Sequence, residues 1–159
     1  MAGNLIIRKC EIQDESAFVR LNLEFMKESL IEDPFWTSVE LPTQKEMQSI
    51  FREALRMHEY ITIFVAEVDG EVVGFANTWI VYSIWAGGMM MTIDDLFIAA
   101  SHRGSGNGQK MMAHLVNFAE QNNYKRIQLH SGINNKRAHS LYGKMGFIEE
   151  ETMFFMKTL

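Results

Sequence analysis

The chain has 159 residues, 47% of them hydrophobic, and a formal net charge of −5; the length suits one domain, 1–159, with a full core, and the charge argues against a general nucleic-acid binder, which needs a basic surface. No run approaches the ~18 consecutive apolar residues of a membrane span, and the start Met1-Ala2-Gly3-Asn4 lacks the basic and apolar regions of a secretion signal. Cys10 is the single cysteine, so an internal disulfide is excluded and a buried structural thiol in a cytoplasmic protein is expected.

Leu5-Ile6-Ile7-Arg8 reads as a short strand, after which Asp14 stands where a helix cap belongs, ahead of Phe18, Leu21 and Phe25 at helical spacing. Glu32-Asp33-Pro34-Phe35-Trp36 breaks that pattern. Thr43-Gln44-Lys45-Glu46 is then a capping box for a second helix with Met47, Ile50, Phe51 and Ala54 on one face. The acidic and aromatic loop between the two helices is a candidate substrate wall. Residues 61–68 are β-branched and apolar, Asp69-Gly70 is a two-residue turn, and residues 71–82 are strand-like again, which predicts a hairpin.

Ala86-Gly87-Gly88 makes the next turn and residues 89–98 form a further strand. A helix over 109–121 places Met112, Leu115, Val116 and Ala119 at core spacing. Residues 127–130 read as a buried strand, 135–145 as a helix, and 147–157 as a closing strand or hairpin. Antiparallel hairpins joined to one helical crossover give an α/β fold, a three-layer α/β/α sandwich with a mixed, mostly antiparallel sheet.

Between the strand ending Leu96-Phe97-Ile98 and the next helix lies Arg103-Gly104-Ser105-Gly106-Asn107-Gly108. Glycines can turn successive amides toward one point, and the helix start adds unsatisfied N–H groups and partial positive charge, so the loop suits a phosphate or pyrophosphate. A nucleoside triphosphate loop would need Lys followed by Ser or Thr, whereas the chain offers Gln109-Lys110-Met111. A dinucleotide fingerprint would come early in the chain, before an acidic strand end, and this loop comes two-thirds along. A plain tight turn remains the alternative.

Arg103-x-x-Gly106-x-Gly108 followed by Asn135-x-x-Ala138-x-x-x-Tyr142-x-x-x-Gly146-Phe147 resembles the GNAT family, the GCN5-related N-acetyltransferases. Gly74-Phe75-Ala76, the stretch Tyr82-Ser83-Ile84-Trp85-Ala86-Gly87 and Ile93-Asp94-Asp95-Leu96-Phe97-Ile98 look like its diamine and thialysine acetyltransferase branch and bacterial relatives. The resemblance implies a sheet splayed at the cofactor site. It implies acetyl-coenzyme A as co-substrate, its pantetheine arm on the backbone of Leu96, Phe97 and Ile98 and its pyrophosphate on Arg103, Gly104, Ser105, Gly106, Asn107, Gly108 and Gln109. Asn135 and Ala138 would adjoin the cofactor and Tyr142 would lie near its sulfur. A phenol there can protonate the departing thiolate, and the Ile98 amide can hold the thioester carbonyl. Members of this branch are often dimeric, so a homodimer is an expected state.

The resemblance also assigns Asp94 to binding or deprotonating the acceptor amine, and strand alternation sends Asp94 and Asp95 to opposite faces, so one of them faces a given pocket. Trp85 and Tyr82 are candidate substrate contacts through their attraction for cations, with packing inside the hairpin as the alternative for both and for Trp79. Lys136, Arg137 and Lys144 are candidates for the adenosine phosphate. No histidine pair has metal-ligand spacing on one helical face with a third ligand nearby, so no metal is expected; His130 is a second candidate base, and His114 and His139 are expected on exposed helix faces. The expected activity is acetyl transfer to the primary amine of a small cationic acceptor, a polyamine or lysine-like amine, in a ternary complex, with Glu32 and Asp33 adding negative charge. Other amines, an aminoglycoside, an aminoalkylphosphonate or a protein amino terminus, are alternatives, as is a non-catalytic acyl-coenzyme A sensor.

Overall fold

The first strand, β1 (Leu5–Lys9), is followed by a 3-10 turn and then by α1 (Glu15–Glu32) and α2 (Gln44–Arg56). These elements belong to a computed structural model that describes residues 4–159; Met1-Ala2-Gly3, on which the reading of an absent secretion signal partly rests, lie outside the described residues. The α2 capping box forms as the sequence predicts: Thr43 Oγ1 accepts from the Glu46 amide at 3.3 Å and the Glu46 carboxylate accepts from the Thr43 amide at 2.7 Å. Asp14 does precede α1, but its side chain makes no cap bond. It is buried and takes a bidentate pair from Arg8 at 2.7 and 2.9 Å, which holds its carboxyl below the usual range. The same carboxylate also accepts from the Glu11 amide at 2.8 Å, so its oxygens serve Arg8 and the 3-10 turn before α1.

Strands β2 (Ile61–Val68), β3 (Glu71–Ser83) and β4 (Gly88–Ile98) continue the chain as a meander. Asp69 and Gly70 make the first turn with φ of 50° and 87°, the backbone region that Asp tolerates and glycine favours. Helix α3 (Asn107–Gln121) crosses over to β5 (Arg126–Leu129), and α4 (Lys136–Lys144) follows. The sheet order is β1-β2-β3-β4-β5, antiparallel except for the parallel pair β4-β5.

Two cores flank this sheet. One lies under α1 and α2 and gathers Phe18, Leu21, Phe51, Phe75 and Phe97; the other lies under α3 and α4 and gathers Phe64, Met91, Ile93, Ile98, Met112 and Leu115. Cys10 is buried in the first. Of the expected α2 face, Met47 and Phe51 are buried while Ile50 stays half exposed.

After α4 the closing strand or hairpin expected over 147–157 does not form; no strand is present there among the described residues. Glu149-Glu150-Glu151 opens the segment, and glutamate is depleted in strands. The segment instead lays Phe154 against Phe35 and Trp36, with ring centroids 5.8 and 6.5 Å apart.

Candidate functional site

Strand β4 pairs with β5 only from Met90↔Arg126 to Ile93↔Leu129, yet runs on to Ile98. The two strands therefore part company at Ile93, and the end of β4 is left open on its β5 side. On its other side Phe97 lies opposite Phe75 and the Ala99 amide donates to Val73 at 2.8 Å, so the groups of Phe97 turn toward β3. Antiparallel alternation then turns the N–H groups of Leu96 and Ile98 to the open side. Of the three backbone positions expected to meet a ligand, Leu96 and Ile98 face the gap and Phe97 does not.

The glycine loop stands at the mouth of this gap. Gly104 and Gly106 adopt φ of 86° and 84°, and Gly106 opens α3 in the left-handed conformation. Among the described residues the amides of Gly104, Ser105, Gly106, Asn107, Gly108 and Gln109 donate to no protein acceptor, while the Lys110 amide closes the first turn on Gly106. Ser105 Oγ and Asn107 Nδ2 both donate to the His102 carbonyl, at 3.1 and 3.0 Å, which pins the loop in shape. The result is a ring of unpaired donors at a helix start, the arrangement that binds an oxyanion.

Arg103 is committed elsewhere. Its Nε donates to the Ile98 carbonyl at 2.7 Å, an Nη donates to Glu28 of α1 at 2.7 Å, and the guanidinium lies 5.0 Å from the Phe97 ring centroid. Its own amide is used by Ala100. Contacts to an anion in the loop thus fall to backbone amides, and the Arg103 side chain clamps the end of β4 to α1. The spacing of the motif carries no signal for this, because Glu28 lies 75 residues away.

Asn135 caps α4 by accepting from the Ala138 amide at 3.3 Å, so two expected ligand contacts hold each other. Tyr142, one turn further along, packs against Phe147 beside the α3–α4 core, and burial raises its phenol above the usual value. Lys136, Arg137 and Lys144 are exposed on α4. His130 is exposed at the end of β5 near Phe154, whereas His114, expected on an exposed helix face, is half-buried against Phe64 and its imidazole is held below the usual value by burial.

On the opposite face of the sheet lies a cleft of about 930 Å³ between α1, α2 and the middle of β3 and β4. Asp94 and Asp95 both line it. Alternation predicts only one of them there; the register supplies the correction. It steps from Asn77↔Asp95 to Thr78↔Ile93, leaving Asp94 as an extra residue in a β-bulge. Ile93 and Leu96 both belong to the α3–α4 core, so the two acids between them share the cleft face. Asp94 is exposed. Asp95 is largely sequestered, accepts from Asn77 Nδ2 at 2.7 Å, and has its carboxyl pushed up to about 6 by burial, against the Asn77 bond and with help from Asp94.

The loop between α1 and α2 does wall the cleft, through Glu40, Leu41 and Pro42, and α2 adds the acid Glu46, while Glu32 and Asp33 do not line it. Asp33 instead caps the 3-10 turn Pro34–Ser38. Trp79 lines the cleft, whereas Tyr82 and Trp85 stand exposed at 65% and 96% on the β3–β4 hairpin, neither packed inside it nor near the acids. Among the described residues no three His, Cys, Asp or Glu side chains are placed to hold a metal ion, and no helix is long and apolar enough to cross a membrane.

A family model described as the acetyltransferase (GNAT) family matches residues 23–147. The chain is 30% identical over 107 residues to an uncharacterized N-acetyltransferase, YhfO, of Bacillus subtilis, covering 67% of this chain and 70% of that protein. It is 29% identical over 149 residues to an uncharacterized N-acetyltransferase of Archaeoglobus fulgidus, covering 92% and 95%. Among solved structures, an aminoglycoside acetyltransferase from an uncultured soil metagenomic sample, in complex with sisomicin, shares the fold at a TM-score of 0.74 and 18% identity, over 98% of this chain and 96% of that one. With the splayed strands, the amide-lined loop and a matching model over most of its length, the chain belongs to the acetyltransferase (GNAT) family.

Proposed function

We propose that this acetyltransferase, as a single cytoplasmic domain, moves the acetyl group of acetyl-coenzyme A to the primary amine of a small cationic acceptor by direct attack in a ternary complex. The observation that carries the acceptor class is the charge of the cleft: Glu40, Glu46, Asp94 and Asp95 line it, and among the described residues no lysine, arginine or histidine does. Phe18, Phe51 and Trp79 give it apolar walls, which suit an alkyl amine. The single unpaired cysteine fits a reducing compartment.

The co-substrate fits the residues on the other side of the gap. A Cβ at Gly104 or Gly106 would meet no atom within 4 Å, so the space before the loop amides is open to a pyrophosphate. The outward N–H groups of Leu96 and Ile98 can hold the pantetheine arm and the carbonyl oxygen. Acetyl-coenzyme A supplies an activated acyl group with a thiolate leaving group. Asp94 draws the acceptor ammonium into place, and the Tyr142 phenol, kept protonated by burial, donates to the departing sulfur.

Two measurements test this. Coenzyme A at 100 times its dissociation constant is expected to stabilise the fold by about 2.7 kcal/mol, read as a rise in Tm, and Gly106→Val, which strains the loop by roughly 1–2 kcal/mol and fills the space before its amides, should weaken binding at least tenfold. An unmoved Tm with coenzyme A refutes the co-substrate. Thiol release is expected with spermidine or a lysine analogue; silence across a broad amine panel refutes the transfer. An aminoglycoside is the second reading, favoured by the shared fold with the sisomicin complex, and product mass spectra over the same panel separate the two.

A further inference from the structure

We propose that Asp95, not Asp94, takes the proton from the acceptor amine, with Asn77 fixing its carboxylate. This rests on the reading of the acidic cleft as the acceptor site. Asp95 reaches that cleft only because of the bulge at Asp94, and it does so from a sequestered position beside the point where β4 leaves β5.

The two acids differ in what they can do. Asp94 is exposed, so water screens it and it serves as charge. Asp95 is fixed: one oxygen accepts from Asn77 Nδ2 at 2.7 Å, and no protein donor among the described residues takes the other. Asn77 in turn has a buried Oδ1 with no hydrogen-bond partner, and a buried polar atom of that kind calls for a ligand or water. An ammonium group in the cleft can donate to the open Asp95 oxygen, whose position the Asn77 bond fixes.

The proton count closes. The ammonium gives one proton to Asp95 and becomes an amine with a free lone pair. That pair forms the new C–N bond as the C–S bond breaks and its electrons leave with sulfur. The sulfur takes the Tyr142 proton, the nitrogen's second proton restores the phenol, and Asp95 releases its own to solvent. Asp95 lying near 6 lets it accept at neutral pH and discharge afterwards. The titratable groups around it are Asp94 on the same strand, Glu46 on α2 and Glu40 before α2; α1 and β3 face the cleft with uncharged Asn22 and Asn77.

Thiol release from acetyl-coenzyme A and spermidine, followed from pH 5 to 9, tests the assignment. In the wild type kcat/KM should rise through about pH 6 and level off, because the base must be ionised. Asp95→Asn should lose roughly 10²-fold in kcat and the limb near pH 6, with Asp95→Glu recovering at least tenfold of it. Asp94→Asn should raise KM for spermidine several-fold, lower kcat less than fivefold and keep the limb. Asn77→Ala should move the limb to higher pH, since the Asn77 bond is what holds Asp95 down. Asp95→Asn within fivefold of wild type, or a lost limb in Asp94→Asn instead, overturns the assignment while the acceptor reading stands. If Asp95→Asn fails to fold, an unmoved limb in Asn77→Ala overturns it. A wild type inactive on every amine overturns the acceptor reading and this inference with it.

Discussion

Tyr142→Phe is expected to lower kcat for thiol release by roughly 10²-fold or more while leaving the fold as stable as before. The two halves of that expectation have separate causes. The ring packs against Phe147 at a centroid separation of 6.0 Å and against the α3–α4 core, and phenylalanine keeps that packing. The hydroxyl has no protein partner among the described residues, so its removal leaves no buried group unpaired. What disappears is the proposed proton donor. Burial raises the phenol above its ordinary value, so the wild type should lose activity on the alkaline side only above about pH 10, and Tyr142→Phe should lack that limb. Rates within threefold of wild type across the pH range would remove Tyr142 from the chemistry and leave it a packing residue.

Gly74→Ala is expected to damage both stability and turnover. Gly74 lies opposite Ile98, and a Cβ there would come within 2.5 Å of Ile98 Cδ1 and 2.6 Å of the Phe97 carbonyl oxygen. The side-chain atom can swing away; the carbonyl belongs to the strand and cannot. β3 and β4 must separate, at a cost of about 1–3 kcal/mol, or roughly 2–10 °C in Tm for a chain of this size. The displaced segment is the end of β4, whose Leu96 and Ile98 amides face the gap. A shift of about 1 Å at such a place can cost 10²-fold in rate. Calorimetry and thiol-release kinetics on the same sample check the two effects; a variant with wild-type Tm and kcat would show that the strands give way without consequence.

Much of this was readable in advance where a residue's conformation depends on its near neighbours. Asp69-Gly70, the Thr43–Glu46 box and the glycine loop each settle their own geometry, and the meander, crossover and layered fold follow from them. Several misses concern side-chain partners that a periodic pattern does not name, whether near in the chain or distant. Asp14 serves Arg8 in place of its helix, and Arg103 serves Glu28 and Ile98 in place of the loop. Tyr82 and Trp85 stand exposed at the end of the β3–β4 hairpin, a burial that strand alternation alone does not specify. Within the inter-helix loop, Glu40, Leu41 and Pro42 line the cleft while Asp33 caps the 3-10 turn Pro34–Ser38, a division of labour that composition does not specify. Periodicity carries no sign that both acids face one cleft, since a bulge is a property of two strands in register and periodicity belongs to a single strand.

That bulge has a bearing on how such a site can be gained or lost. Ile93, Leu96 and Ile98 occupy the α3–α4 core and Phe97 the α1–α2 core. Deleting one aspartate would leave a strand alternating without interruption, every apolar residue still on its own face and Thr78↔Ile93 still in step with Asn77 and its opposite number. The hydrophobic phase is indifferent to whether one acid or two stands between Ile93 and Leu96. An inserted codon at this point therefore adds a second carboxylate to the cleft without rewriting the core, and its loss returns an ordinary strand.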